Sequence, residues 1–141
     1  MIKRIKYISR FDKPHTEADI EAIGEQSRAN NERLDLTGVL MASGGLFYQV
    51  LEGPADAVDE VYARIANDSR HTDLLLLGSE ENVERIYPDW SMEIIDLDAA
   101  SNVRLFPLKA LVKAVFEQTR LTDNMMWAIE RTIHHEMRRG D

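Results

Sequence analysis

Four polar residues stand where the surrounding pattern calls for burial, and their chemistries complement one another. Tyr7 lies in IKRIKYIS, Gln49 in LFYQVL, and Ser27 and Asn31 sit four apart in a segment of helical spacing. A phenol gives up a proton and an electron, a primary amide carries donor and acceptor at opposite ends, and a hydroxyl does both jobs at one atom. Buried groups of this kind need partners. The alternation of the two strands allows Tyr7 and Gln49 to face the helices, in which case Tyr7, Gln49, Asn31 and Ser27 converge on one space. Satisfaction of neighbouring backbone groups is the other reading, and spacing leaves both open.

Arg64 and Asp68, four apart beside the stripe Val61, Ile65, form either a solvated ion pair worth a few tenths of a kcal/mol or a polar clamp on a ligand between helices. The remaining chemistry is thin. His134 and His135 are adjacent, so on a helix they diverge by about 100° and do not chelate one metal. Glu80, Glu81 and Glu84 form a charge run that reads as solvated. Phosphate-binding glycine motifs and the nucleophile elbow are missing from the sequence, and it has no cysteine, which removes disulfides, thiol nucleophiles and Cys-ligated metals together.

The elements that must position these residues follow from periodicity. Ile2 to Ser9 alternates as a first strand, with Ile5, Tyr7 and Ser9 on one side. After the turn signal Asp12, Lys13, Pro14, the segment Thr16 to Asn31 opens on capping residues Thr16 and Asp19 and runs as a helix, with Gly24 either weakening it or admitting a close neighbour. Leu36 to Ala42 and Leu46 to Leu51 flank Ser43, Gly44 and Gly45 as a hairpin whose second strand is largely apolar on both faces, so each face needs a cover. Gly53 and Pro54 lead into a second helix, Ala55 to Asp68. Leu74 to Gly78 and Trp90 to Ile95 read as two further strands.

The resulting order, βαββαββ, predicts an α+β ferredoxin-like sheet with both helices on one face. Pro107 to Thr119 and Leu121 to Arg138 predict two C-terminal helices, the second with Met125, Met126, Ile129, Ile133 and Met137 as its stripe, and these are expected to cover the other face. Residues 1–97 are thus expected to form one domain built on the sheet and 98–141 an appended helical extension. With 141 residues, 44% apolar and 30% charged, the chain has the content of one globular domain. Seventeen Lys and Arg against 25 Asp and Glu give a net charge of −8, the wrong sign for holding phosphate backbones, so nucleic acid is not an expected partner. The apolar runs are too short to span a bilayer and the N-terminal strand leaves no room for a signal-peptide core, so no membrane partner and a cytoplasmic location are expected.

Six separated motifs resemble the BLUF domain, the blue-light sensor using flavin, over residues 1 to about 97. They are IKYIS around Tyr7, SRANN ending at Asn31, LTGVL at Leu36 to Leu40, FYQVLEGP at Phe47 to Pro54, RIANDSRH from Arg64 to His71, and PDWSM from Pro88 to Met92. The resemblance implies a non-covalent flavin, FAD usually and FMN as the alternative, lying between the first two helices. It implies Tyr7 as electron donor to the excited flavin and Gln49 as the amide between Tyr7 and the flavin N5/C4=O edge. Asn31 is implied to hold the pyrimidine side of the ring, Ser27, Asn30, Arg64 and Asp68 to add polar contacts, and Trp90 and Met92, on the fifth strand, to exchange places near Gln49. Gly24 departs from the expected larger residue beside the ring and is expected to loosen that wall.

A photoreceptor of this kind catalyses no net reaction. With only about forty residues after the sensing domain, output is expected in trans, through the C-terminal helices or a homo-oligomer interface, to a downstream protein. Two other readings keep the fold: a flavin-free regulatory ligand-binding module, and an acylphosphatase-like hydrolase, for which a phosphate-cradling loop is not evident.

Overall fold

The structure, a computed structural model, describes residues 1–11 and 16–139. The expected turn at Asp12, Lys13 and Pro14 lies outside the described residues. Chain order is β1 (Ile2–Phe11), α1 (Glu17–Leu34), β2 (Thr37–Ser43), β3 (Leu46–Pro54), α2 (Ala55–Ala66), β4 (His71–Glu81), β5 (Glu93–Asp96), a 3-10 segment (Ala100–Leu105) and α3 (Pro107–Arg139).

The five strands form one sheet in the order β4-β1-β3-β2-β5. β1 runs antiparallel to β3 and β4, β2 and β3 form the expected hairpin, and β5 joins β2 in parallel. The hairpin closes through Gly44 and Gly45 at φ of 55° and 85°, a left-handed pair that glycine adopts without steric cost. This is the ferredoxin-like α+β arrangement with an added edge strand.

Alternation along the strands sorts side chains between two cores. Ile5, Tyr7, Leu40, Phe47 and Leu51 pack with Ile20 of α1 and Val58 of α2. Ile8, between Tyr7 and Ser9, points the other way and packs with Leu97, Val112 and Phe116. The helices α1 and α2 therefore cover one face and the start of α3 the other.

Local sequence explains both ends of α1. Thr16 caps α1 by accepting from the Asp19 N–H at 3.2 Å while the Asp19 carboxylate accepts from the Thr16 N–H at 2.8 Å. At the other end Asp35 turns left-handed, φ 57°, and its N–H returns to the carbonyls of Asn31 and Glu32. Gly24 does not loosen a wall: a Cβ there would stand 2.5 Å from Ile94 Cγ1, so the missing side chain lets α1 close against the residue beside it on β5.

Three expectations are corrected. The two C-terminal helices are one continuous helix of 33 residues. Neither Gly nor Pro separates Thr119 from Leu121, and the hydroxyls of Thr119 and Thr122 bond back to the carbonyls of Val115 and Gln118, so nothing terminates the backbone ladder. Only its first part covers the sheet; residues 121–139 are all exposed, including Met125, Met126, Ile129, Ile133 and Met137. The fifth strand spans only Glu93–Asp96, so Trp90 and Met92 precede it and are not on it.

Candidate functional site

A cavity of about 220 Å³ opens between α1, α2 and the sheet, and polar side chains from both sides line it. Tyr7, Ser9 and Phe11 come from β1, Ser27, Asn30 and Asn31 from α1, Gln49 from β3, Arg64 from α2, Asp68 and Arg70 from the turn that follows it, and His71 from the first position of β4. The sequence-level convergence of Tyr7, Gln49, Asn31 and Ser27 is therefore present as geometry.

At its floor Tyr7 and Gln49 are register partners on adjacent strands. The phenol, 2% exposed, donates to Gln49 Oε1. Burial, with Tyr62 alongside, pushes the phenol well above its ordinary range, so Tyr7 is a proton-bearing donor at any physiological pH. That donation orients the amide, leaving Gln49 Nε2 directed at Met92 Sδ, 3.6 Å away. A thioether is a weak acceptor, so a buried amide donor is left underserved and suits a better acceptor in the cavity.

Asn31 is 2% exposed, and its Nδ2 donates to the Ser91 carbonyl at 2.7 Å. Met92 is buried among the core residues of this face. Trp90, by contrast, is 40% exposed and stacks on Tyr87, with ring centroids 5.4 Å apart. The structure thus brings Met92, and not Trp90, to Gln49.

The Arg64–Asp68 pairing is corrected. α2 ends at Ala66, so Asp68 lies beyond the helix and the i,i+4 geometry is lost. Arg64 pairs with Glu60 at 2.7 Å, and Asp68 with Arg70 at 2.6 Å. The hydrogen bond from Arg70 is the main cause holding the Asp68 carboxyl at about 2. Both Arg64 and Asp68 still line the cavity, from separate ion pairs.

Four polar cavity residues escaped the sequence reading as site members: Ser9, Gln26, Arg70 and His71. Ser9 Oγ stands 3.0 Å from His71 Nδ1, and the His71 ring lies 5.0 Å from that of Phe11. Burial lowers the His71 pKa from 6.5, which favours neutral imidazole. The alternation that placed Ser9 beside Tyr7 was the available signal. A second missed group is Glu52, fully buried, whose carboxylate accepts from the N–H groups of Ile86 and Tyr87 and pairs with Arg4 at 3.1 Å. It fastens the connection that carries Trp90 and Met92.

Comparison with known proteins identifies the family of the domain that carries this cavity. The family model BLUF, described as sensors of blue-light using FAD, matches residues 2–93. Photoactivated adenylate cyclase subunit beta of Euglena gracilis is 39% identical over 89 residues, which are 62% of this chain and 10% of that protein. The chain thus spans about a tenth of the length of that relative. Among solved structures, a bacterial light-regulated adenylyl cyclase superposes with a TM-score of 0.80 at 37% identity, covering 88% of this chain and 36% of that one. BlrB, described as a BLUF protein in its dark state, superposes at 0.65 with 31% identity, covering 83% of this chain and 96% of its own.

Proposed function

The chain belongs to the BLUF family of blue-light sensors, whose domains bind flavin, and we propose that it is itself a photoreceptor in which Tyr7 and Gln49 form the switch. The observation that carries this reading is the buried chain of contacts from Tyr7 O–H to Gln49 Oε1 and from Gln49 Nε2 to Met92 Sδ. The donor set fits a flavin: the underserved Gln49 amide and the polar wall of Ser27, Asn30 and Asn31 suit a planar, acceptor-rich ring, and Arg64, Asp68 and Arg70 suit its polar tail. Bound flavin supplies absorption of blue light and an acceptor for one electron.

Tyr7 gives the electron and its proton; the phenol is kept protonated until then. Gln49 responds because rotation or tautomerisation of a primary amide reverses its donor and acceptor ends without displacing its neighbours. Leu40, Phe47, Val61 and Ile65 keep water from competing for those hydrogen bonds. The cycle returns thermally, so the sensing unit catalyses no net reaction. We assign residues 1–97 to sensing and 98–141 to output, with α3 handing the signal in trans to a downstream protein or across a homo-oligomer. Support for that route comes from the packing of α3 on the sheet face opposite the cavity. FAD is the cofactor this reading prefers over FMN.

Purified chain is expected to be yellow and to shift its flavin absorption reversibly to the red under blue light, and mass analysis of the released chromophore separates FAD from FMN. Gln49→Leu should keep its flavin and lose the red shift entirely, and Tyr7→Phe should keep flavin and lose the normal photocycle. A normal shift in Gln49→Leu overturns the assignment of the switch. A flavin-free chain returns the cavity to a regulatory binding module.

A further inference from the structure

Three consecutive backbone carbonyls ahead of β5 are each held by a different group. The Gly38 N–H donates to Trp90 O at 2.8 Å, Asn31 Nδ2 to Ser91 O at 2.7 Å, and Arg28 Nε to Met92 O at 3.0 Å. Arg28 and Asn31 lie three apart on α1 and so share one side of the helix. Gly38 must be glycine for its part, since a Cβ there would stand 2.0 Å from the Val50 carbonyl oxygen. The segment carrying Met92 is therefore a track pinned to α1 and β2, short of regular strand pairing.

The three pins differ in what else they do. Asn31 lines the cavity and Gly38 acts through its backbone, whereas Arg28 is an exposed residue outside the cavity wall. Its bond to the Met92 carbonyl is charge-assisted, stronger than a neutral one of the same length. Met92 in turn presents its sulfur to the Gln49 amide. On the reading of Gln49 as switch, we infer that Arg28 is a positioning residue of the photocycle: by holding the Met92 backbone it sets the sulfur against Gln49 and stabilises the dark arrangement relative to the lit one.

The position of Arg28 makes the inference testable without dismantling the site. In the flavin-loaded full chain, Arg28→Ala should leave flavin content unchanged, lower the melting temperature by no more than about 2–4 °C, and slow thermal return to the dark state about threefold, the scale of one partly exposed charge-assisted hydrogen bond, and Arg28→Lys should recover part of the rate. Methyl-labelled methionine NMR in the dark gives a readout independent of photochemistry: the Met92 signal, identified by its loss in Met92→Leu, should move or broaden in Arg28→Ala. In a Met92→Leu background, Arg28→Ala should change the recovery rate little, because both substitutions remove the same contact. A recovery rate in Arg28→Ala that is unchanged or faster overturns the inference, as does an equal slowing in both backgrounds or an unmoved Met92 signal. Absence of any red shift in the unsubstituted chain is a separate result that removes the switch itself.

Discussion

The two faces of one sheet are built from alternate residues of the same strands, yet they differ in what they bury. Tyr7, Ser9 and Gln49 turn toward α1 and α2, while Ile8, Tyr48 and Leu46 turn toward α3. On the first face lies a 220 Å³ cavity in which hydroxyl, amide, imidazole and guanidinium groups converge. On the second, a groove of about 320 Å³ is lined mainly by apolar side chains, with Val39, Met41, Val50, Leu108, Leu111 and Val112 among its walls beside Lys6, Tyr48 and Tyr87. Size alone thus favours the groove over the cavity proposed to hold flavin. What supports the proposed site is burial of polar groups whose hydrogen-bonding capacity the protein itself leaves incomplete.

If the faces divide the labour in this way, substitution on the α3 side should cost stability and spare the chromophore. Phe116 is 2% exposed, with Arg10 stacked 4.7 Å from its ring centre. Phe116→Ala should cost about 3–4 kcal/mol in denaturant titration while the size of the flavin red shift stays the same. A red shift that falls along with stability breaks the division.

On the cavity side the expected pattern is inverted. Arg64→Ala should lower the ratio of flavin to protein clearly yet move apoprotein melting little, since Arg64 is an exposed partner of Glu60 and such pairs contribute roughly a few tenths of a kcal/mol. Asp68→Ala should lower the ratio too, with a visible drop in apoprotein melting from the lost Arg70 hydrogen bonds. Unchanged flavin content in both variants returns these residues to the solvated surface.

The smallest effect concerns pH. The folded-state pKa of His71 lies below 6.5 because burial disfavours the imidazolium. As pH falls through 6.5 the unfolded chain takes up a proton that the folded chain still refuses, so stability is full above 6.5 and declines below it. Asp68, held at about 2, titrates well below that window and does not confuse it. Melting between pH 7.5 and 5.5 should therefore fall less in His71→Gln than in the unsubstituted chain. An identical fall in both places the acid sensitivity outside the cavity.

Periodic, strand-borne features were readable in advance. Period-two alternation fixes which way Tyr7, Ser9 and Gln49 point, and the Gly44–Gly45 turn fixes the hairpin register that sets Gln49 opposite Leu40, whereas the pairing of β1 with β3 that sets Gln49 beside Tyr7 spans forty-two residues of sequence. Features set by where an element stops were not. Asp68 pairs with Arg70 because α2 ends two residues before it, and no spacing rule places that boundary. Trp90 and Met92 sit in a segment whose shape comes from donors on α1 and β2, more than fifty residues away in sequence. Glu52 reads as a misplaced charge in an apolar strand until the N–H groups of Ile86 and Tyr87 arrive over it. The identity of the ligand came from family resemblance; polar convergence by itself yielded only a binding cavity.

The uninterrupted run of α3 past the edge of its support has a mechanical meaning. Nineteen residues, 121–139, extend as fully exposed helix from a base gripped by Val112 and Phe116, an arm of about 28 Å at the helical rise per residue. Rotation of that base by about 5° carries the tip through about 2 Å, so a change too small to disturb the packed core becomes a displacement comparable to an atomic radius. A break at Arg120 would have discarded that gain. The continuous helix is a lever: any reorientation of its packed base would be enlarged at its exposed tip.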